Sequence, residues 1–122
     1  MSARRSICPV ACALDLVGDR WTLLVVRDLF AGKNRFQEFS ASPERIATNI
    51  LAERLRRLVE HDFVTTEPLA ERAGAVSYHL TPRGAALLPI LEAIRDFGLA
   101  HIPGTEARIQ PRRGRARRRR GH

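Results

Sequence analysis

The stretch "ERIATNILAERLRRLVEHDFV", residues 44–64, places its apolar residues at Ile46, Ile50, Leu51, Leu55, Leu58 and Val59, either adjacent or three to four apart. That spacing belongs to a helix with one buried stripe. With Leu51 at the centre and about 100° per residue, Asn49, Glu53, Arg56 and Glu60 fall on the opposite side, flanked by Ala52 and Arg57. The helix is expected to begin near Ala47 and to end near Asp62. Beyond Asp62 the period becomes extended. "FVTTEPL" and "AVSYHL" alternate and are rich in β-branched and aromatic residues, and the "AERAG" between them is a hairpin connection.

Upstream, Pro9 suits the first position of a helix running to about Val17 and ended by Gly18. Asp19 can then cap a second, strongly apolar helix, "RWTLLVVRDLFAG", which Gly32 ends. A short helix from about Arg35 to Ser40 supplies Phe36 and Phe39, and Ser42 with Pro43 makes a turn. Downstream of the hairpin, Thr81 caps a helix with Pro82 in its first turn, extending to Ala100. A short helix, a turn, a longer amphipathic helix and a two-stranded hairpin make a winged helix-turn-helix, an α+β fold that is mainly α. In that arrangement the apolar stripe of the longer helix packs on the core, and its outward face enters the major groove. Asn49 is then placed for an adenine edge, Arg56 for a guanine or a phosphate, and Thr48 for a phosphate or base.

Charge distribution sharpens this expectation. The 122 residues carry a net charge of +8, but eight of the 21 basic residues lie between Arg108 and Arg120, a stretch without acids. The remaining 13 basic groups face 13 acidic ones in residues 1–107. Nucleic-acid binding by the body therefore rests on fold and local placement, not on overall charge. The sequence divides into a domain over residues 1–102 and a basic tail over 103–122, with Pro103 and Gly104 at the boundary. The tail has too little apolar content to offset its ordering entropy and is expected to be disordered, either touching phosphates or serving as a solubilising extension.

Other chemistry is sparse. His61, His79, His101 and His122 are scattered, and Cys8 with Cys12 supply two ligands where structural zinc needs about four. There is no phosphate loop, dinucleotide glycine pattern or nucleophile elbow, so no enzyme, cofactor or metal is expected. The apolar run after Arg4 and Arg5 contains Pro9 and stops at Asp15, well short of the roughly 18 apolar residues of a membrane helix. A cytoplasmic location with free thiols is expected.

The segments "CPVACALDLVGDRWTLLVVRDLFAGKNRF", "SPERIATNILAERLRRLVEHDFV" and "VSYHLTPRG" together resemble the HxlR family of bacterial winged-helix regulators over nearly all of residues 7–100. The resemblance implies a cytosolic homodimer, held by its N-terminal helix and the helix from Pro82 to Ala100, that binds a partly palindromic operator in double-stranded DNA, usually as a repressor. The candidate DNA-binding residues are Arg45, Thr48, Asn49, Ala52, Glu53, Arg56, Arg57 and Arg72. The wing loop departs from the family pattern: "LAERAGAV" sets Glu71 beside Arg72 and lacks the proline common there, and Ala47 stands where a proline often opens the recognition helix. Some members sense oxidants or electrophiles through a cysteine at the Cys-Pro position, which makes Cys8, near Arg4 and Arg5 at a helix N-terminus, a redox candidate. Cys12 reads as a small buried apolar residue. A small-molecule effector stays open, as does a second reading: a winged-helix protein-interaction module tethered to nucleic acid by its arginine tail.

Overall fold

In the computed structural model, residues 6–107 are described. Arg4, Arg5 and the arginines from Arg108 onward lie outside them. Pro9, with its fixed φ and missing N–H, opens α1 (Pro9–Val17), and the N–H of Gly18 closes it on the Leu14 carbonyl. Asp19 then accepts hydrogen bonds from the backbone N–H groups of Trp21 (3.0 Å) and Thr22 (3.2 Å) and from the Thr22 hydroxyl. These bonds satisfy donors that the start of α2 (Thr22–Phe30) leaves without helical partners. Val25, Val26 and Leu29 turn the buried face of α2 into the centre of the core.

A short α3 (Phe36–Ser40) follows, its first donors held by the Glu38 carboxylate, which accepts from the N–H groups of Asn34 (2.8 Å) and Arg35 (3.0 Å). The amphipathic α4 (Thr48–Glu60) begins after an extended Ala47. Leu51, Leu55 and Leu58 form its buried stripe, Ile50 packs at the margin, and Phe39, Phe63 and Val64 complete the surrounding core. Two residues depart from the expected stripe. Ile46 is buried, but ahead of the helix; in a continuous helix it would lie about 140° from Leu51, so the chain reaches the core only by turning before Thr48. Val59, about 80° from the stripe centre, is 39% exposed.

Strands β1 (Val64–Pro68) and β2 (Val76–Leu80) pair antiparallel, with Val64 opposite Leu80 and Thr66 opposite Tyr78. The Tyr78 N–H also donates to the Asn34 carbonyl at 2.9 Å, and its ring meets Phe39 edge-on at 6.0 Å, so the wing is anchored to the segment entering α3. The base of the wing is closed by a tight corner. Thr81 donates its N–H to the Phe63 carbonyl and its hydroxyl to the Asp62 carbonyl, while Arg83 donates to the His61 carbonyl and lies 4.6 Å over the Phe63 ring.

The single helix expected from Pro82 to Ala100 is two: α5 (Pro82–Ala85) and α6 (Leu88–His101). Pro89 explains the break, since within a continuous helix its ring would collide with the Ala85 carbonyl and it has no N–H to donate. The change of direction brings both Leu87 and Leu88 into the core. α6 then leaves Ile94 and Phe97 largely exposed, as α1 leaves Val10 and Leu14, and between these helices and α2 runs an apolar groove of about 1010 Å³. Among the described residues no helix is long and apolar enough to cross a membrane.

Candidate nucleic-acid interface

The orientation of α4 is fixed by a polar network beneath the turn that precedes it. Arg27 on α2 donates to both carboxylate oxygens of Glu44 (2.9 and 2.8 Å) and, through Nε and Nη2, to the buried Asp28 (3.1 and 2.9 Å). The Ser42 hydroxyl donates to the other oxygen of Asp28 at 2.5 Å and accepts from Lys33 Nζ at 2.7 Å. The hydrogen bonds from Arg27 lower the Glu44 pKa against the opposing effect of burial. The consecutive pair Arg27-Asp28 thus locks both ends of the turn onto α2. Arg45 completes the turn with φ of 60°, a left-handed conformation uncommon outside glycine, and its side chain is exposed.

Beyond the turn, α4 presents Thr48, Asn49, Ala52 and Arg56 to solvent, with Glu53 and Arg57 half-exposed. Ala47 offers no side-chain cap, which leaves the first-turn N–H groups of α4 available to an anion. Arg56 is held by carboxylates of its own helix, donating to Glu53 and Glu60 at 3.2 Å each. These i,i+3 and i,i+4 pairs are exposed and contribute only about 0.3 to 0.5 kcal/mol each, so a phosphate or guanine can displace them.

Two arginines to which the sequence reading gave no part in the interface, Arg54 and Arg35, prove central to the geometry. Arg54 reaches away from the outward face to Asp19, its Nε 2.7 Å from Oδ2, and also pairs with Glu53. Burial pushes the Asp19 carboxyl up, but hydrogen bonds from Thr22, Arg54 and the Trp21 N–H, with the Arg54 charge, outweigh it and bring the pKa down to about 2. On the wing side, Arg35 grips Glu71 with two bonds of 3.1 Å. Glu71, which the sequence set against DNA docking, therefore has its charge partly neutralised, while Arg72 beside it is exposed at the tip. Asp19 lies 35 positions from Arg54, and Arg35 lies 36 from Glu71, so periodicity could not have paired them.

Cys8 is an exposed thiol at the N-cap of α1, whereas the Cys12 thiol, half-buried one turn later, donates to the Ser6 carbonyl at 3.2 Å. Cys12 is thus neither fully buried nor wholly apolar in its contacts. Among the candidate residues, the fold gathers Thr48, Asn49, Ala52, Glu53 and Arg56 along one helix. Arg45 precedes that helix, Arg57 flanks it, Arg72 occupies the wing, and Cys8 belongs to a different element.

The family model described as HxlR-like helix-turn-helix matches residues 16–106. The chain is 33% identical over 93 residues to the transcriptional regulator YodB of Bacillus subtilis, spanning 75% of this chain and 83% of YodB. A similar match, 34% over 92 residues, covers 75% of this chain and 68% of the transcriptional regulator sll1512 of Synechocystis. Among solved structures, PA1607 superposes with a TM-score of 0.74 at 43% identity, covering 88% of this chain and 80% of that one. The reduced form of the redox regulator HypR gives 0.72 at 29% identity, with 79% and 95% covered. The mainly helical body, its two-stranded wing and these similarities lead to one assignment: the chain belongs to the HxlR-like helix-turn-helix family of DNA-binding transcriptional regulators, which are not enzymes.

Proposed function

We propose that this regulator is a cytoplasmic repressor that occupies a partly palindromic operator as a homodimer. The observation that carries the reading is the outward face of α4, where Asn49 and Arg56 are exposed on a helix whose orientation is locked by Arg27, Asp28, Ser42 and Glu44. Thr48, Asn49, Ala52, Glu53 and Arg56 read base edges, Arg45 and Arg57 hold phosphates, and Arg72 contacts the backbone or minor groove from the wing. The domain of residues 1–102 confers sequence selectivity, and the basic tail of residues 103–122 adds affinity that falls steeply with salt. Dimerisation through α1 and the α5–α6 segment is supported by the apolar side chains that those helices expose around the groove.

An oxidant response through Cys8 is supported by its exposure and by the likeness to the redox regulator HypR. The test of the main reading is a hydroxyl-radical footprint of the full chain on promoter DNA. Two protected half-sites about 34 to 36 Å apart are expected for two α4 helices in successive major grooves. A single protected half-site would contradict the dimer. Uniform protection without a preferred site would favour the alternative, an interaction module on a basic tether, whose supporting observation is the pairing of Arg56 with Glu53 and Glu60.

A further inference from the structure

An exposed glutamate ordinarily spreads over several rotamers, but Glu53 is held at both oxygens. Oε1 accepts from Arg54 and Oε2 from Arg56. Arg54 is itself anchored, because its Nε donates to Asp19, and Asp19 is bonded to the backbone N–H groups of Trp21 and Thr22 and to the hydroxyl of the buried Thr22. Nε and Nη1 lie on different edges of the planar guanidinium, so one Arg54 serves two carboxylates at once. The result is a line of contacts running from the buried start of α2 to the middle of the outward face of α4.

We propose that Glu53 reads a cytosine in the major groove and that Arg54, fixed by Asp19, is the residue that positions it. The proposal rests on reading α4 as the recognition helix. A carboxylate held in place is a pure acceptor. Cytosine offers it the N4 amino donor, whereas guanine presents O6 and N7, and thymine presents O4, all acceptors that repel it. Adenine also has an amino donor, but its N7 acceptor lies alongside and opposes the charge. The other oxygen of Glu53 keeps Arg56 nearby, and Arg56 carries the donors that match O6 and N7 of the guanine in the same C·G pair. The acid that partly cancels the charge of this face thereby becomes half of a base-pair reader.

The test is selection of sites from a random DNA pool by the full chain, compared with the Glu53→Gln and Arg54→Lys variants. Glutamine presents a donor as well as an acceptor, and lysine keeps a cation for Asp19 without the planar fork that reaches Glu53. The wild-type motif is expected to prefer cytosine at one position by about ten-fold. Both variants should flatten that position, while Glu53→Gln, which removes a negative charge from the face, binds random duplex no more weakly than the wild type and Arg54→Lys keeps the wild-type thermal midpoint, a pattern that a merely structural role for Arg54 would not produce. A wild-type motif that Glu53→Gln leaves intact at every position would overturn the cytosine contact. Flattening by Glu53→Gln but not by Arg54→Lys would remove Arg54 from the positioning role. Failure of the wild type to select any motif would instead overturn the reading of α4 as a sequence reader, and the inference with it.

Discussion

Replacing Gly84 with alanine tests the corner that joins the wing to the body. A Cβ at this position would lie 2.1 Å from the Phe63 carbonyl oxygen and 2.9 Å from Leu80 Cδ2. The first contact is with backbone and cannot be relieved by a rotamer change, so α5 would have to withdraw by roughly 1 Å. That movement strains the bonds that close the corner, namely Thr81 N–H to Phe63, the Thr81 hydroxyl to Asp62 and Arg83 to His61, at 3.0, 2.6 and 3.0 Å. If the strain shared among them amounts to one such bond, about 1 kcal/mol net, and overpacking itself costs about 1 to 3 kcal/mol, a loss of roughly 2 to 4 kcal/mol is expected. For a domain of this size that corresponds to a fall of about 10 to 25 °C in the thermal midpoint, readable by circular dichroism at fixed protein concentration. A Gly84→Ala variant that melts with the wild type would refute the close approach of α5 to Phe63.

Three further expectations follow from the polar contacts. Asp19→Ala should lose about 1 to 2 kcal/mol near neutral pH. Because the folded-state pKa of Asp19, about 2, lies below its unfolded value, the stabilisation is present above roughly pH 4 and is lost as pH falls through the folded value. Acid titration of the melting temperature should therefore bring wild type and variant together, and a constant gap down to about pH 2 would sink this account. Arg27→Met should cost about 2 kcal/mol, less than for a fully buried pair since Glu44 is 32% exposed, and should weaken DNA binding by loosening the turn before α4; unchanged urea midpoints would count against it. Hydrogen peroxide should change the DNA affinity of the wild type and leave a Cys8→Ser variant unaffected, and an equal response of both would argue against redox sensing through the exposed Cys8.

The parts of the fold written in local periodicity were legible in the sequence. The Leu51, Leu55 and Leu58 stripe, the two extended segments and the Thr81-Pro82 helix start all depend on residues within a turn or a strand of one another, although burial along the strands does not follow the expected alternation, Val64 alone being buried in β1 and Ser77 alone in β2. Ile46 misled because an apolar residue just ahead of a helix contributes to the same spacing pattern while following a different backbone path. Pro89 was hidden inside an apolar run whose hydrophobic pattern continues across the break between α5 and α6. The outward face of α4 could be listed from the sequence but not its electrostatics, since the pairings of Arg54 with Asp19 and Arg35 with Glu71 arise only when distant segments meet. The Arg27-Asp28 pair lies within a segment that carries the family resemblance, yet its work on Ser42 and Glu44 emerges only from the folded turn.

The claim that the polar face of α4 reads bases is tested most directly by equilibrium binding of the full chain and its Asn49→Ala variant to a selected operator and to random duplex at one salt concentration. The variant is expected to lose about 1 to 3 kcal/mol on the operator, to relax one base position and to keep its affinity for random DNA. Equal losses on both duplexes would place Asn49 on the phosphate backbone and contradict base reading by this face.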